Sequence, residues 1–115
     1  MTISGYVGNF LPAVNVTIAS GQQSSSAIDC GGFSLVGIKL PAAFTGTALT
    51  FEVCDTIDGT YQPLYDSSNT LISYTVAQGR TYAIDPKNFQ GVQFLKVKSG
   101  TAEGAARTVV LSLKG

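Results

Sequence analysis

The residues best equipped for chemistry crowd into one short stretch: Glu52, Asp55, Asp58 and Asp66, with Cys54 among them and Cys30 upstream. A pair of carboxylates can cleave a glycosidic bond, one as acid and the other as nucleophile or base. Asp55, Asp58 and Asp66 could instead join backbone carbonyls around calcium. A plainer account covers the same residues. Asp55 and Asp58 flank an Asp58-Gly59 turn, where aspartates bond their own backbone, and Glu52 falls on the polar face of a strand. The spacing matches no EF-hand loop. The chain has no histidine, which removes Ser-His-Asp and Cys-His mechanisms and the commonest transition-metal ligand. Cys30 and Cys54 lack the company a zinc site requires, and no lysine sits in a nucleophile motif. The stretches at Gly31-Gly32 and Ser99-Gly100 match no phosphate loop. These residues predict no catalysis, no cofactor and no metal.

The thiols are expected to be free. If residues 47–54 alternate as a strand, Leu49, Phe51 and Val53 share one face and Cys54 takes the other. A bridge from Cys30 to Cys54 needs both side chains on one side of the sandwich. Two cysteines are also too few for a disulfide scaffold, and a reducing cytosol keeps them as thiols.

Length and charge bound the rest. A chain of 115 residues has room for one domain around one core. Only 12% of residues are charged, about half the roughly 25% of ordinary soluble domains. Seven basic residues balance seven acidic ones, so no net field draws in nucleic acid or a membrane surface. Near-zero net charge also leaves the surface weakly defended against association, which points to a multimer. The N-terminus, MTISGYVGNFLPAV, lacks the basic region and continuous apolar core of a signal peptide. No apolar run is long enough to span a bilayer.

The elements that must position these residues read as strands throughout. Val14, Val16 and Ile18 alternate with Asn15 and Thr17. Ser24, Ser26 and Ile28 continue one face toward Cys30. Gly31-Gly32 breaks the chain before an apolar strand at 33–40, stopped by Pro41. A strand at 47–54 returns through the Asp58-Gly59 turn to 61–65, with Pro63 confining the return to an edge. Strands follow at 70–76, with Ile72, Tyr74 and Val76 inward, then at 81–84, 92–98 and 107–113. Asp85-Pro86 reads as an N-cap with proline at the first helical position, giving a single helical or 3-10 turn at 86–89. Residues 99–106, rich in Gly and Ala, read as a flexible loop. About eight short strands at turn spacings of eight to twelve residues predict an all-β fold, a single jelly-roll-like β-sandwich over 13–115. An immunoglobulin-like sandwich is the alternative, although no Trp is present to complete its Cys-Trp-Cys pattern. Residues 1–12 form an N-terminal arm. Its Ile3, Tyr6, Val7, Phe10 and Leu11 are costly to leave in water, so the arm packs on its own domain or, by preference, on a neighbour. Tyr61, Tyr65, Tyr74 and Tyr82 are core-edge residues, an interface rim or a sugar-stacking platform.

Residues 26–115 resemble a family of small tailed-bacteriophage virion structural proteins. The likeness rests on Ile28-Asp29, Gly31-Gly32-Phe33, the block from Leu35 to Pro41, the run from Phe44 to Phe51, Asp58-Gly59-Thr60 and Leu64-Tyr65-Asp66. It continues through Asp85-Pro86 with Phe89, the segment 91–99 around Phe94-Leu95-Lys96-Val97, and Ala105-Ala106-Arg107. Cys54 departs from the small polar residue usual at its position. The resemblance implies a non-enzymatic capsid decoration (cement) protein, made in the host bacterial cytoplasm and carried on the virion surface. Its partners would be the major capsid protein or other virion proteins and further copies of itself, a trimer in the first instance. Tyr6, Phe10, Leu11, Tyr61 and Tyr65 are the expected partner-binding residues. A head-fibre or tail-associated receptor- or glycan-binding module is the alternative. A third class is a cytosolic chaperone or inhibitor made by the phage.

Overall fold

Alternating apolar and polar side chains let each strand bury one face and wet the other. In the computed structural model, which describes residues 10–115, this pattern yields nine strands among the described residues. They are β1 (Phe10–Ile18), β2 (Ile28–Asp29), β3 (Ser34–Lys39), β4 (Ala48–Cys54), β5 (Gln62–Pro63), β6 (Tyr74–Thr75), β7 (Thr81–Ala83), β8 (Phe94–Ser99) and β9 (Arg107–Lys114). One sheet runs β1-β9-β3-β7; the other runs β2-β8-β4-β5, with β6 also on β4. β5 pairs with Glu52 and Val53 and β6 with Ala48 and Leu49, so they act as two halves of one interrupted edge strand. Counted that way, the fold is an eight-stranded jelly roll. The immunoglobulin-like alternative fails on topology. It would place the first two strands side by side in one sheet, whereas β1 and β2 belong to opposite sheets.

The core is the interdigitation of two inward faces. Val16, Ile18, Leu35, Ile38, Val109, Leu111 and Leu113 from one sheet meet Leu49, Phe51, Leu95 and Val97 from the other, all essentially without solvent exposure. Loop residues close the ends: Phe44 follows β3, and Phe89 ends the 3-10 turn Pro86–Phe89. That turn forms where the Asp85-Pro86 signal places it, with the Asp85 carboxylate accepting from the Lys87 amide at 3.2 Å.

Three expectations need correction. β1 starts at Phe10, so the last residues of the supposed arm belong to the sheet; Pro12 and a bulge between Leu11 and Val14 interrupt the alternation that would have announced this. The strand expected at 70–76 is ordered as a ladder only at Tyr74–Thr75, although Ile72 and Val76 are buried and Tyr74 packs on the core as expected. Before β2 the inward residue is Ser25, not Ser24 or Ser26. Its hydroxyl donates to the Ser26 carbonyl and accepts from the Val97 amide at 2.9 Å.

The largest departure lies between β8 and β9. Residues 99–106 do not form a loose loop; they carry Glu103, whose side chain has no solvent exposure. Its carboxylate accepts from the amides of Thr45 (3.0 Å) and Gly46 (3.1 Å), the Ser99 hydroxyl (2.9 Å) and Arg107 Nε (3.0 Å). Its backbone bonds Gly21 and Gln22. One residue thereby ties the β1–β2, β3–β4 and β8–β9 connections together at one end of the sandwich. Gly46 is glycine because a Cβ there would collide with the Ser99 hydroxyl inside this clasp.

Candidate binding surfaces

With one end of the sandwich fastened by Glu103, the opposite end carries the β4–β5 hairpin. The β2–β3 turn joins the two sheets there, and β1 starts there through pairing of Phe10 with Lys114. In the hairpin the Gly59 amide donates to the Thr56 carbonyl at 3.2 Å. Gly59 does not adopt a positive φ. A Cβ there would meet Thr56 Oγ1 and Cys54 Sγ, so any larger residue must push those two side chains aside. Ile57, at the tip, is 52% exposed.

Tyr61 is fastened rather than presented. Its hydroxyl donates to the Ile57 carbonyl at 2.9 Å, and Lys96 Nζ lies 4.4 Å from its ring centroid. Burial, then the nearby Cys54 and Asp58, push its phenol pKa upward, so it stays neutral. Lys96 faces Glu52 across the β4–β8 ladder, and Glu52 accepts from the Ser24 hydroxyl. Beside the hairpin lies an open depression of about 640 Å³, with Val53, Leu64 and Val92 apolar and Gln62, Asn88 and Gln93 supplying amides.

Cys54 lines this depression and is half-buried, whereas Cys30 is buried. Both are free thiols. β8 stands between β2 and β4, and two strand spacings amount to about 9–10 Å, beyond the roughly 7 Å reach of a disulfide. Burial, reinforced by the charge of Asp29, pushes the Cys30 thiol up to about 11. Iodoacetamide at pH 8 should therefore alkylate Cys54 in the native protein and Cys30 only after denaturation. Equal native labelling of both thiols, read by peptide mass spectrometry, would contradict this placement.

Tyr65 sits far from the hairpin tip, at the β5–β6 edge. It bridges Leu71 across a tight reversal, and Tyr65 and Leu71 are 51% and 38% exposed. Asp66 makes that reversal by accepting from the amides of Ser68 (2.8 Å) and Thr70 (3.0 Å), while Asn69 takes the left-handed conformation at φ 63°. Asp66 is therefore committed to its turn. Among the described residues no three His, Cys, Asp or Glu side chains gather as a metal site. The remaining tyrosines are structural: Tyr74 stacks edge-on against Phe51, and the Tyr82 hydroxyl accepts from the Ala77 amide at 2.7 Å.

The five expected partner-binding residues do not converge. Tyr6 lies outside the described residues. Phe10 and Leu11 are 38% and 41% exposed at the start of β1, an edge strand. Tyr61 lies under Lys96 in the hairpin, and Tyr65 lies at the far edge. The segment before β2 bridges both β1 (Ile18 with Ser25) and β8 (Ser24 with Lys98), which puts the β1 edge over the β2 side of the second sheet. The β5–β6 edge is therefore lateral and opposite to β1. Sequence reasoning missed Ile57 and Leu71. Ile57 is a lone large apolar residue within a polar turn, and Leu71 directly follows one, a signal that was available.

The fold and these surfaces define an all-β jelly-roll domain with an apolar patch on each lateral edge and an amide-lined depression at one end. No protein-family model matches the chain, and no curated protein matches it. Among solved structures it is similar to the Drosophila NLP core, whose report concerns pentamer formation and histone binding. The two share 17% identity over 90% of this chain and 100% of that chain, at a TM-score of 0.42. A likeness that loose bears on neither partner nor assembly here.

Proposed function

We propose that this chain is a non-enzymatic phage virion structural protein, a capsid decoration module that stabilises contacts between major capsid subunits on the outside of the head. The observation that carries the reading is the hairpin end. Ile57 stands exposed at its tip, and β1 begins at the same end with the exposed Phe10 and Leu11. A chain of zero net charge offers little electrostatic resistance to docking that surface. The segment resemblance supplies the virion context. Each copy would bury a small apolar area, and avidity across a homo-oligomer, a trimer in the first instance, would multiply its effect.

Residues 1–9 can be removed without cutting β1, whereas removal through Pro12 would take three residues of a sheet. Deleting 1–9 together with Ile57→Asp should lower capsid occupancy by about tenfold or more, roughly 1.4 kcal/mol per decade, with the thermal melt unchanged. Undiminished occupancy on purified heads, or absence of the protein from virions by quantitative mass spectrometry, would sink the assignment. The glycan-binding alternative is favoured by the amide and apolar side chains that together line the end depression. Hits on a glycan array with the isolated protein would select it.

A further inference from the structure

Residues 55–61 carry the chain from β4 to β5, a longer connection than the roughly two to five residues of an ordinary hairpin loop. Residues 55–60 are all exposed, so ordering them costs backbone entropy that no burial offsets. The contacts around them nonetheless converge on the tip from both arms. On the outgoing arm, Cys54 Sγ lies 3.8 Å from Thr56 Oγ1, and the Thr56 carbonyl accepts from the Gly59 amide at 3.2 Å. Gly59 sits so close to these side chains that a Cβ would meet both Cys54 Sγ and Thr56 Oγ1. On the returning arm, the Tyr61 hydroxyl reaches back and donates to the Ile57 carbonyl at 2.9 Å.

Tyr61 is itself held from the sheet. Lys96 Nζ stands 4.4 Å from its ring centroid, within cation–π range. Lys96 belongs to β8 and faces Glu52 of β4 across the ladder, while Gln62, the next residue after Tyr61, pairs with Val53. A continuous strut therefore runs from β8 through Lys96 and the Tyr61 ring to the backbone beside Ile57. The same contacts argue against Tyr61 as a contact residue. Its hydroxyl is engaged, and a partner stacking on the face under Lys96 would first have to displace the lysine.

We propose that Tyr61 is a positioning residue, latching the hairpin tip to the sheet so that Ile57 is presented in one fixed orientation. A tip ordered in advance binds at lower entropic cost, because the partner does not have to order it. That consequence for binding rests on the virion reading. The latch does not, and it can be read in the isolated protein.

Nitrogen-15 relaxation on the full chain tests the latch. Tyr61→Phe keeps the ring under Lys96 and removes only the donor; Lys96→Gln keeps the donor and removes the charge. Order parameters at Ile57, Asp58 and Gly59 should be near the rigid value of about 0.85 in the wild type and fall to about 0.6 or below in Tyr61→Phe. Lys96→Gln should lower them at the same residues by less. Val53 and Val97 should stay rigid and the thermal melt unchanged, which a general loss of stability would not allow. A mobile wild-type tip, or one whose order survives Tyr61→Phe, would overturn the proposal. On purified heads Tyr61→Phe should bind about three- to tenfold more weakly, the range of one net hydrogen bond. Full-strength binding by a tip shown to be loosened would also overturn the positioning role. Full-strength binding by the 1–9 deletion with Ile57→Asp would instead overturn the virion reading.

Discussion

Replacing Glu103 by alanine should cost about 3–5 kcal/mol, the usual penalty for removing one partner of a buried ion pair and stranding the other. Four donors converge on two oxygens: the amides of Thr45 and Gly46, the Ser99 hydroxyl and Arg107 Nε. Alanine leaves all four unanswered, with Arg107 only 15% exposed. Glu103→Gln should rescue little, because its amide nitrogen would point a donor at other donors. For a domain of this size, 3 kcal/mol corresponds to a fall in Tm of about 15 °C. Urea or thermal melts of both variants against the wild type measure this directly. A glutamine variant as stable as the wild type would show that the carboxylate's charge is irrelevant to the clasp.

Acid provides an independent handle on the same residue. Burial alone would raise the Glu103 pKa, but the Thr45 amide, Arg107 and Ser99 outweigh it and hold the carboxyl below its ordinary value. The folded state therefore binds its proton less readily than the unfolded chain, whose glutamate titrates near about 4.3. The resulting stabilisation is fully present above that unfolded value and is lost as pH falls through the lower folded value. The stability gap between wild type and Glu103→Ala should stay constant from pH 7 to 5 and narrow below about pH 4. A gap that widens on acidification would contradict the sign.

Glu103 also marks where the sequence stops being readable. Strands β3, β4, β8 and β9 were legible because their apolar residues recur at period two and their ends carry Gly, Pro or Asp. The 3-10 turn was legible because Asp85 and Pro86 are local signals. The clasp is not local: its donors come from residues 45, 46, 99 and 107, and a Gly- and Ala-rich segment looks loose in isolation. The one available hint was the four-residue spacing of Glu103 and Arg107 in a chain with few charges. The binding surfaces show the same division. Exposure of Phe10, Leu11 and Tyr65 follows from apolar residues at strand ends, but the sheet order that sets them on opposite edges depends on pairings ninety or more residues apart, such as Phe10 with Lys114. The contact over the Tyr61 ring was hidden for a related reason: its lysine belongs to β8, which no local pattern could bring there.

Phe51→Ala should be the most damaging change in the hydrophobic core, costing about 3–5 kcal/mol. Phe51 is wholly buried and stands edge-on to two rings: Phe89 at 5.0 Å between centroids and 82°, and Tyr74 at 6.0 Å and 84°. Truncation leaves a cavity that these neighbours cannot fill without leaving their own anchors, because Phe89 ends the 3-10 turn and Tyr74 lies in β6. A double-mutant cycle separates ring contact from simple burial. Phe51→Ala and Phe89→Ala should show a coupling energy of about 0.5–1.5 kcal/mol, the range for aromatic pairs beyond area burial. Strictly additive losses would mean that the edge-on geometry contributes nothing of its own. The consequence reaches the surface. Phe89 holds the turn that supplies Asn88 to the end depression, and Phe51 lies two residues before Val53 in its floor. Proton-exchange protection of the Val92 amide, which donates to the Phe89 carbonyl, should therefore fall in Phe51→Ala by more than global destabilisation explains. A fall equal to the global loss would show that the depression's wall is held independently of the aromatic cluster.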